Sequence, residues 1–120
     1  MPTVPDPLEP WQIAMTEGGY LRGYRTLPRG KPVIHFIHGN GFCGLSYWPF
    51  LQHLIKAFDV VTVDVPGQGD SDLEGPYPGW NEMAERVALG WQHMREDYRS
   101  VPAMGMGHSM GGAFTALMAA

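Results

Sequence analysis

The sequence predicts an α/β protein on a mainly parallel sheet, and two observations carry that expectation. Residues 33–37 (Val-Ile-His-Phe-Ile) and 59–64 (Asp-Val-Val-Thr-Val-Asp) are short, nearly continuous apolar runs, the pattern of strands covered on both faces. Each is followed, after a glycine-rich turn, by a segment whose apolar residues recur at helical spacing. Strand and helix then alternate to the C-terminus, which calls for parallel strands joined by right-handed crossovers.

Taken in order, residues 1–10 hold four prolines and are expected to be an extended N-terminal segment, with residues 11–120 forming one domain. Residues 11–15 and 20–25 read as strands of an antiparallel hairpin turning at Glu17-Gly18-Gly19. A Pro- and Gly-containing loop (28–32) leads into the first parallel strand, which ends in His38-Gly39-Asn40-Gly41. Trp48, Leu51, Leu54, Ile55 and Phe58 mark a helix over 47–57, with Pro49 tolerated in its first turn. The strand 59–64 runs into a tight polar loop, Pro66-Gly67-Gln68-Gly69-Asp70-Ser71-Asp72, in which Asp70 and Asp72 read as solvated turn formers. Asn81 is the expected N-cap of an amphipathic helix reaching about Tyr98, with Met83, Val87, Trp91 and Met94 on its apolar face. A last strand over 101–106 meets Gly107-His108-Ser109-Met110-Gly111-Gly112, and the helix formers of 113–120 follow. There is no internal repeat and no domain linker.

Composition narrows the classes of function. With 44% hydrophobic and 12% aromatic residues over 120 positions, the chain has the makings of a core. A net charge of −4 without basic clusters argues against nucleic acid or an anionic membrane as the main partner. The single cysteine, Cys43, allows no internal disulfide and offers no metal-site spacing. It reads as a small packed residue, because no basic pair flanks it to lower its pKa. No apolar run approaches the ~20 residues of a membrane span. The acidic, proline-rich start lacks the pattern of a secretory signal, so a cytoplasmic location is expected. No cofactor is expected: there is no G-x-G-x-x-G after the first strand, no phosphate-binding lysine loop and no metal cluster.

The glycine-flanked serine carries the chemistry. A G-x-S-x-G run between a strand and a helix holds its serine on a sharp, strained turn, with the hydroxyl exposed at the sheet edge. A side chain two residues before or after would collide there, so Gly107 and Gly111 are expected to make room, and Gly112 to let the helix approach the strand. Two further motifs end the other parallel strands, His38-Gly39-Asn40 and Asp64-Val65-Pro66-Gly67-Gln68-Gly69-Asp70-Ser71. All three therefore meet at the edge where open α/β sheets bind ligands.

In their order and spacing these motifs resemble the N-terminal portion of the α/β-hydrolase fold family of serine esterase- and lipase-like hydrolases, from about residue 11 onward. That resemblance implies a hairpin followed by parallel strands with crossover helices, in a sheet left incomplete. It implies Ser109 as nucleophile and the backbone N–H of Met110 as one oxyanion-hole donor. The Asn40 N–H is the expected second donor, with Gly41 the other candidate, since two fixed amides stabilise developing oxyanion charge without reorganising. Gly67 and Gly69 are then structural, shaping the turn beside the oxyanion loop, and His38 is a structural hydrogen-bonding residue. Gly41, Phe42 and Trp48, with Tyr47, are candidates to line a substrate pocket; for Trp48 core packing is the competing role. The methionines 104, 106, 110 and 118 around the serine read as adaptable core filling.

The resemblance also implies what is missing. The nucleophile needs a general base and an orienting carboxylate, which follow the serine in the family's order Ser, Asp or Glu, His. His35 lies mid-strand, His53 and His93 lie on helices, and His108 is directed away from its neighbour's side chain. The chain is therefore expected to be the first part of a protein of roughly 250–300 residues. Alone, its last strand would be a bare apolar edge in need of a partner. The expected function is hydrolysis of small carboxylic esters or related acyl compounds through an acyl-enzyme. A carbon–carbon bond hydrolase, an acyltransferase or an aminopeptidase of the same fold would show the same residues, and a non-catalytic or truncated binding relative is the alternative from another class. Haloalkane dehalogenases share the His-Gly-Asn loop, and epoxide hydrolases the fold, but both need a carboxylate where this chain has Ser109.

Overall fold

A computed structural model describes residues 4–119. Its sheet has five strands in the order β1-β2-β4-β3-β5: β1 (Leu8–Ala14), β2 (Tyr20–Thr26), β3 (Val33–Ile37), β4 (Asp59–Val63) and β5 (Ala103–Gly107). β1 and β2 form the expected antiparallel hairpin, and β2 runs antiparallel to β4. β3 lies between β4 and β5 and is parallel to both, with His35 opposite Val61 on one side and Gly105 on the other. The central strands β3 and β4 are buried along their whole length, as their apolar runs require.

Alternation along the strands sorts side chains between two layers. Val33, Ile37, Val61 and Val63 face one side, where α2 (Trp80–Arg95) and α3 (Met110–Ala119) cover them with Met83, Val87, Met94 and Phe114. Phe36 and Val60 face the other and pack on Leu51 of α1 (Trp48–Leu54). The result is the helix–sheet–helix sandwich that crossover connections produce.

Several boundaries differ from the sequence expectation, each for a physical reason. β1 begins at Leu8, inside the segment read as an extended leader, because β1 is an edge strand whose Pro10 needs no second ladder partner. Residues 1–3 of that leader lie outside the described residues. α2 starts at Trp80 after Gly79, so Asn81 is an exposed first-turn residue and not the N-cap. Gly79 has φ +99°, which turns the chain into the helix, and its carbonyl accepts the Met83 N–H. β5 runs from 103 to 107, displaced toward the glycine turn by Pro102, whose carbonyl accepts the Val33 N–H. Along the open edge of β5 Met104 is 46% exposed, whereas Met110 and Met118 pack on the main cluster and Met106 on the Phe36 cluster.

On the α2–α3 side of the sheet, His35 packs on Trp91 with ring centroids 4.9 Å apart and the rings tilted by 42°, beside a cavity of about 200 Å³ also lined by Met104, Gly105, Thr115 and Met118. Burial lowers its pKa to about 4 from an ordinary 6.5. Between those values the unfolded chain holds a proton that the folded chain refuses, so stability rises with pH through that window. Acidification from pH 6.5 to 4 is therefore expected to remove roughly 3 kcal/mol through this residue. Urea titrations across the window check it: His35→Leu should lose that component of the slope, and identical slopes would clear His35 of the effect.

Candidate active site

Ser109 is the second of the two residues, His108 and Ser109, between β5 and α3, and its backbone has φ +56°. It is the only non-glycine residue with positive φ among the described residues, a conformation a side chain adopts only at a cost of order 1–2 kcal/mol. The turn is compressed on both sides. A Cβ on Gly107 would lie 2.2 Å from the Gly111 carbonyl group, and one on Gly111 would lie 2.0 Å from the carbonyl oxygen of Ile37 on β3. Gly112 differs from its expected role: a Cβ there would sit 3.4 Å from the nearest atom, so helix and strand approach through Gly111.

Beside the turn, the loop after β3 brings Asn40 and Gly41 to the same end of the sheet, with His108 N–H donating to the Ile37 carbonyl (3.1 Å) at the junction. Gly41 has φ +84° and open space around it, so glycine serves its backbone angle and not a close approach. Its N–H donates to Gln68 Oε1 at 2.8 Å. Among the described residues, neither the Asn40 nor the Met110 N–H has an acceptor. Of the two alternatives for the second donor, the amide left unengaged is thus that of Asn40.

His38 is fully buried and both ring nitrogens are engaged. Nδ1 donates to the Gly39 carbonyl (2.7 Å) and Nε2 accepts the Val65 N–H (2.9 Å), which fixes the tautomer. It ties the end of β3 to the end of β4. Asp64, 1% exposed, does similar work next door by accepting the N–H groups of Gly44 (2.8 Å) and Asp70 (3.0 Å). Burial pushes its carboxyl above the usual range, and these two bonds pull the other way. Asp70 and Asp72 are not merely solvated turn formers. Asp70 accepts from Tyr24 Oη at 2.6 Å, and Asp72 accepts from the Tyr20 N–H at 2.8 Å and Arg22 Nη1 at 3.2 Å, pinning the loop to β2.

Of the candidate lining residues, Gly41 and Phe42 lie on the loop, Phe42 being 52% exposed and edge-on to Tyr47. Trp48 is partly buried and packs against the Phe36–Leu51–Val60 cluster. His108 turns to Tyr47, with Nδ1 2.8 Å from the phenol oxygen. Cys43 Sγ lies 3.3 Å from Ser46 Oγ at the start of the short 3₁₀ turn Gly44–Tyr47. Among the described residues, no group of three or more His, Cys, Asp or Glu side chains is placed to hold a metal ion, and no helix is long and apolar enough to cross a membrane.

A hairpin leading into parallel strands, with a strained serine at the turn after β5, defines the N-terminal part of an α/β hydrolase. Residues 28–120 match the family described as serine aminopeptidase, S33, and the chain belongs to that family. It is 35% identical over 116 residues to monoglyceride lipase of Mus musculus, covering 90% of this chain and 37% of the lipase. The magnesium-chelatase 30 kDa subunit of Rhodobacter capsulatus is 33% identical over 95 residues, covering 78% of this chain and 32% of that protein. Among solved structures, a membrane phospholipase A described as a bacterial virulence factor superposes with a TM-score of 0.76 at 26% identity, covering 93% of this chain and 35% of the phospholipase. The chain thus spans about a third of the length of these relatives.

Proposed function

We propose that the protein carrying this chain is a serine hydrolase of carboxylic esters or related acyl compounds, working through an acyl-enzyme on Ser109. The observation that carries this reading is the positive φ of Ser109 beside two unengaged amides, Asn40 and Met110. Strain at a serine is retained where the surrounding fold over-determines it, and a reactive hydroxyl gives it a purpose. Likeness to a lipase and a phospholipase supports ester substrates.

In this reading Ser109 Oγ attacks the acyl carbon while its proton passes to a general base. The carbonyl oxygen becomes an oxyanion held by the Asn40 and Met110 N–H groups, reinforced by the N-terminus of α3. Collapse breaks the bond to the leaving alkoxide, which takes the base's proton. Water then repeats the sequence on the acyl-serine and returns the carboxylic acid. Phe42 offers apolar surface for the acyl group.

The base and its carboxylate are proposed to come from outside residues 1–120. Both nitrogens of His38 are occupied, His108 is engaged by Tyr47, His35 packs on Trp91, and His53 and His93 lie within α1 and α2. Residues 1–120 alone are accordingly expected to turn over short p-nitrophenyl esters negligibly. The whole protein should hydrolyse them with an initial burst of nitrophenol equal to the enzyme present. A whole protein without ester turnover, or brisk Ser109-dependent turnover by residues 1–120, would contradict the proposal in its first or second part. The family's description gives an amide-cleaving variant of the same steps a footing, and an aminoacyl-nitroanilide assayed in parallel separates the two.

A further inference from the structure

Two side chains bridge the loop after β3 to the serine turn, one on each side of Asn40 and Ser109. Tyr47 Oη accepts the Gly39 N–H at 2.9 Å and lies 2.8 Å from His108 Nδ1. Gln68 Oε1 accepts the Gly41 N–H at 2.8 Å, and its Nε2 lies 3.9 Å from Met110 Sδ. Residues 39 and 41 flank Asn40, and residues 108 and 110 flank Ser109. Each bridge thus spans from a neighbour of the loop amide to a neighbour of the nucleophile.

We propose that Tyr47 and Gln68 are paired positioning residues that set the distance between the Asn40 and Met110 amides. This inference rests on the oxyanion role proposed for those two amides.

Three observations support it. First, the bridges take up the Gly39 and Gly41 N–H groups and leave the Asn40 N–H between them unengaged. A peptide anchored on both sides points its middle amide in a fixed direction, which is what preorganised stabilisation of an oxyanion requires. Second, the two parts come from sequence-distant elements, Tyr47 lying 61 residues from His108 and Gln68 lying 42 from Met110. The β3–β5 pairing and the His108 N–H on the Ile37 carbonyl tie the two at the base, and the bridges join them beyond that point, around Asn40 and Ser109. Third, the Tyr47 bridge is tightly fitted. Its ring is held edge-on by Phe36 at 4.7 Å, and a Cβ on Gly39 would lie 3.0 Å from His108 Nδ1 and 3.2 Å from the phenol oxygen. With the Gly39 N–H donating to the phenol oxygen, the phenol's own proton is available to His108 Nδ1, which places the imidazole proton on Nε2. The Gln68 bridge is the weaker one, since its second end is an N–H···S contact.

The test uses the whole protein and p-nitrophenyl butyrate, with kcat and KM measured separately. Tyr47→Phe keeps the ring and removes the hydroxyl, and Gln68→Met keeps the length and removes the acceptor. Each is expected to lower kcat about tenfold or more with KM within about twofold, because the amides act on the transition state. Gln68→Glu retains an acceptor for the Gly41 N–H and should recover most of the kcat lost in Gln68→Met. His108→Leu should lower kcat as Tyr47→Phe does, and the Tyr47→Phe/His108→Leu double variant should be no slower than either single one. Should Tyr47→Phe fail to fold, the Gln68→Met and Gln68→Glu pair decides the matter alone. Wild-type kcat in Tyr47→Phe and Gln68→Met, or a loss confined to KM, overturns the proposal while Ser109→Ala remains inactive. Full turnover by Ser109→Ala overturns it together with the functional reading beneath it.

Discussion

Replacing Ser109 by alanine is expected to lower ester turnover by the whole protein by a factor on the order of 10⁴ or more, with little change in stability. Serine and alanine both carry a Cβ, so both bear the steric cost of φ +56° in the same way. The substitution therefore removes the hydroxyl without relieving the turn. On the proposed mechanism, any rate that remains comes from the Asn40 and Met110 amides binding an oxyanion formed by attacking water. Glycine at the same position separates chemistry from strain. Ser109→Gly should be equally inactive yet more stable than Ser109→Ala by about 1 kcal/mol, because glycine adopts this backbone angle without penalty. Steady-state kinetics and chemical denaturation on the three proteins check both parts. A loss of less than tenfold in Ser109→Ala would remove the residue from the mechanism.

The largest effect on folding is expected from Gly111→Ala, at about 3 kcal/mol or more of lost stability. The added methyl would lie 2.0 Å from the Ile37 oxygen, 2.5 Å from the Ile37 carbonyl carbon and 2.6 Å from the His38 oxygen. These are backbone atoms of β3 and of the loop that follows it, so no side-chain rotation relieves the overlap. α3 would have to lift away from the sheet, pulling Phe114 from its buried position as it went. Gly112→Ala, one residue on, is the internal control. Its Cβ meets ordinary contacts at 3.4 and 3.8 Å, and alanine is favoured over glycine inside a helix by about 0.8–1.0 kcal/mol. It should be neutral to mildly stabilising. If denaturation midpoints place the two variants within a fraction of a kcal/mol of one another, the close approach through Gly111 is not what shapes the turn.

The difference between these two glycines shows which features a linear reading can reach. The spacing of Gly107, Ser109 and Gly111 encodes a steric requirement within five consecutive residues, so the strained turn was legible from sequence. The sequence points to Gly112 for the close approach of helix to strand, and only the position of β3 beneath α3 shows that Gly111 makes it. The strands β3 and β4 were legible for a similar local reason, since burial on both faces leaves an unbroken apolar run.

Features that depend on distant partners were not legible. Asp70 and Asp72 looked like solvated turn residues because Tyr24, Tyr20 and Arg22, which hold them, lie on a strand about 50 residues earlier. Arg86 sits on α2 at 7% exposure, against the usual preference of a charged side chain; besides its i,i+4 partner Glu82 it has Glu17 Oε1, from the turn between β1 and β2, 3.8 Å from its Nε. Gln68 reads in sequence as one polar residue in a polar loop, and its bond to the Gly41 N–H becomes visible only once β4 lies beside β3. Asn81 carried a real capping preference, but the positive φ available to Gly79 set the helix start two residues earlier.

The most direct test of the central claim is the site of covalent capture by a serine-directed fluorophosphonate. The whole protein is treated with the probe, digested, and the modified peptide sequenced by mass spectrometry. The adduct is expected on Ser109 alone, at one per protein, and should be absent from Ser109→Ala. An adduct on any other residue, or labelling that persists in Ser109→Ala, would contradict the assignment of Ser109 as the nucleophile.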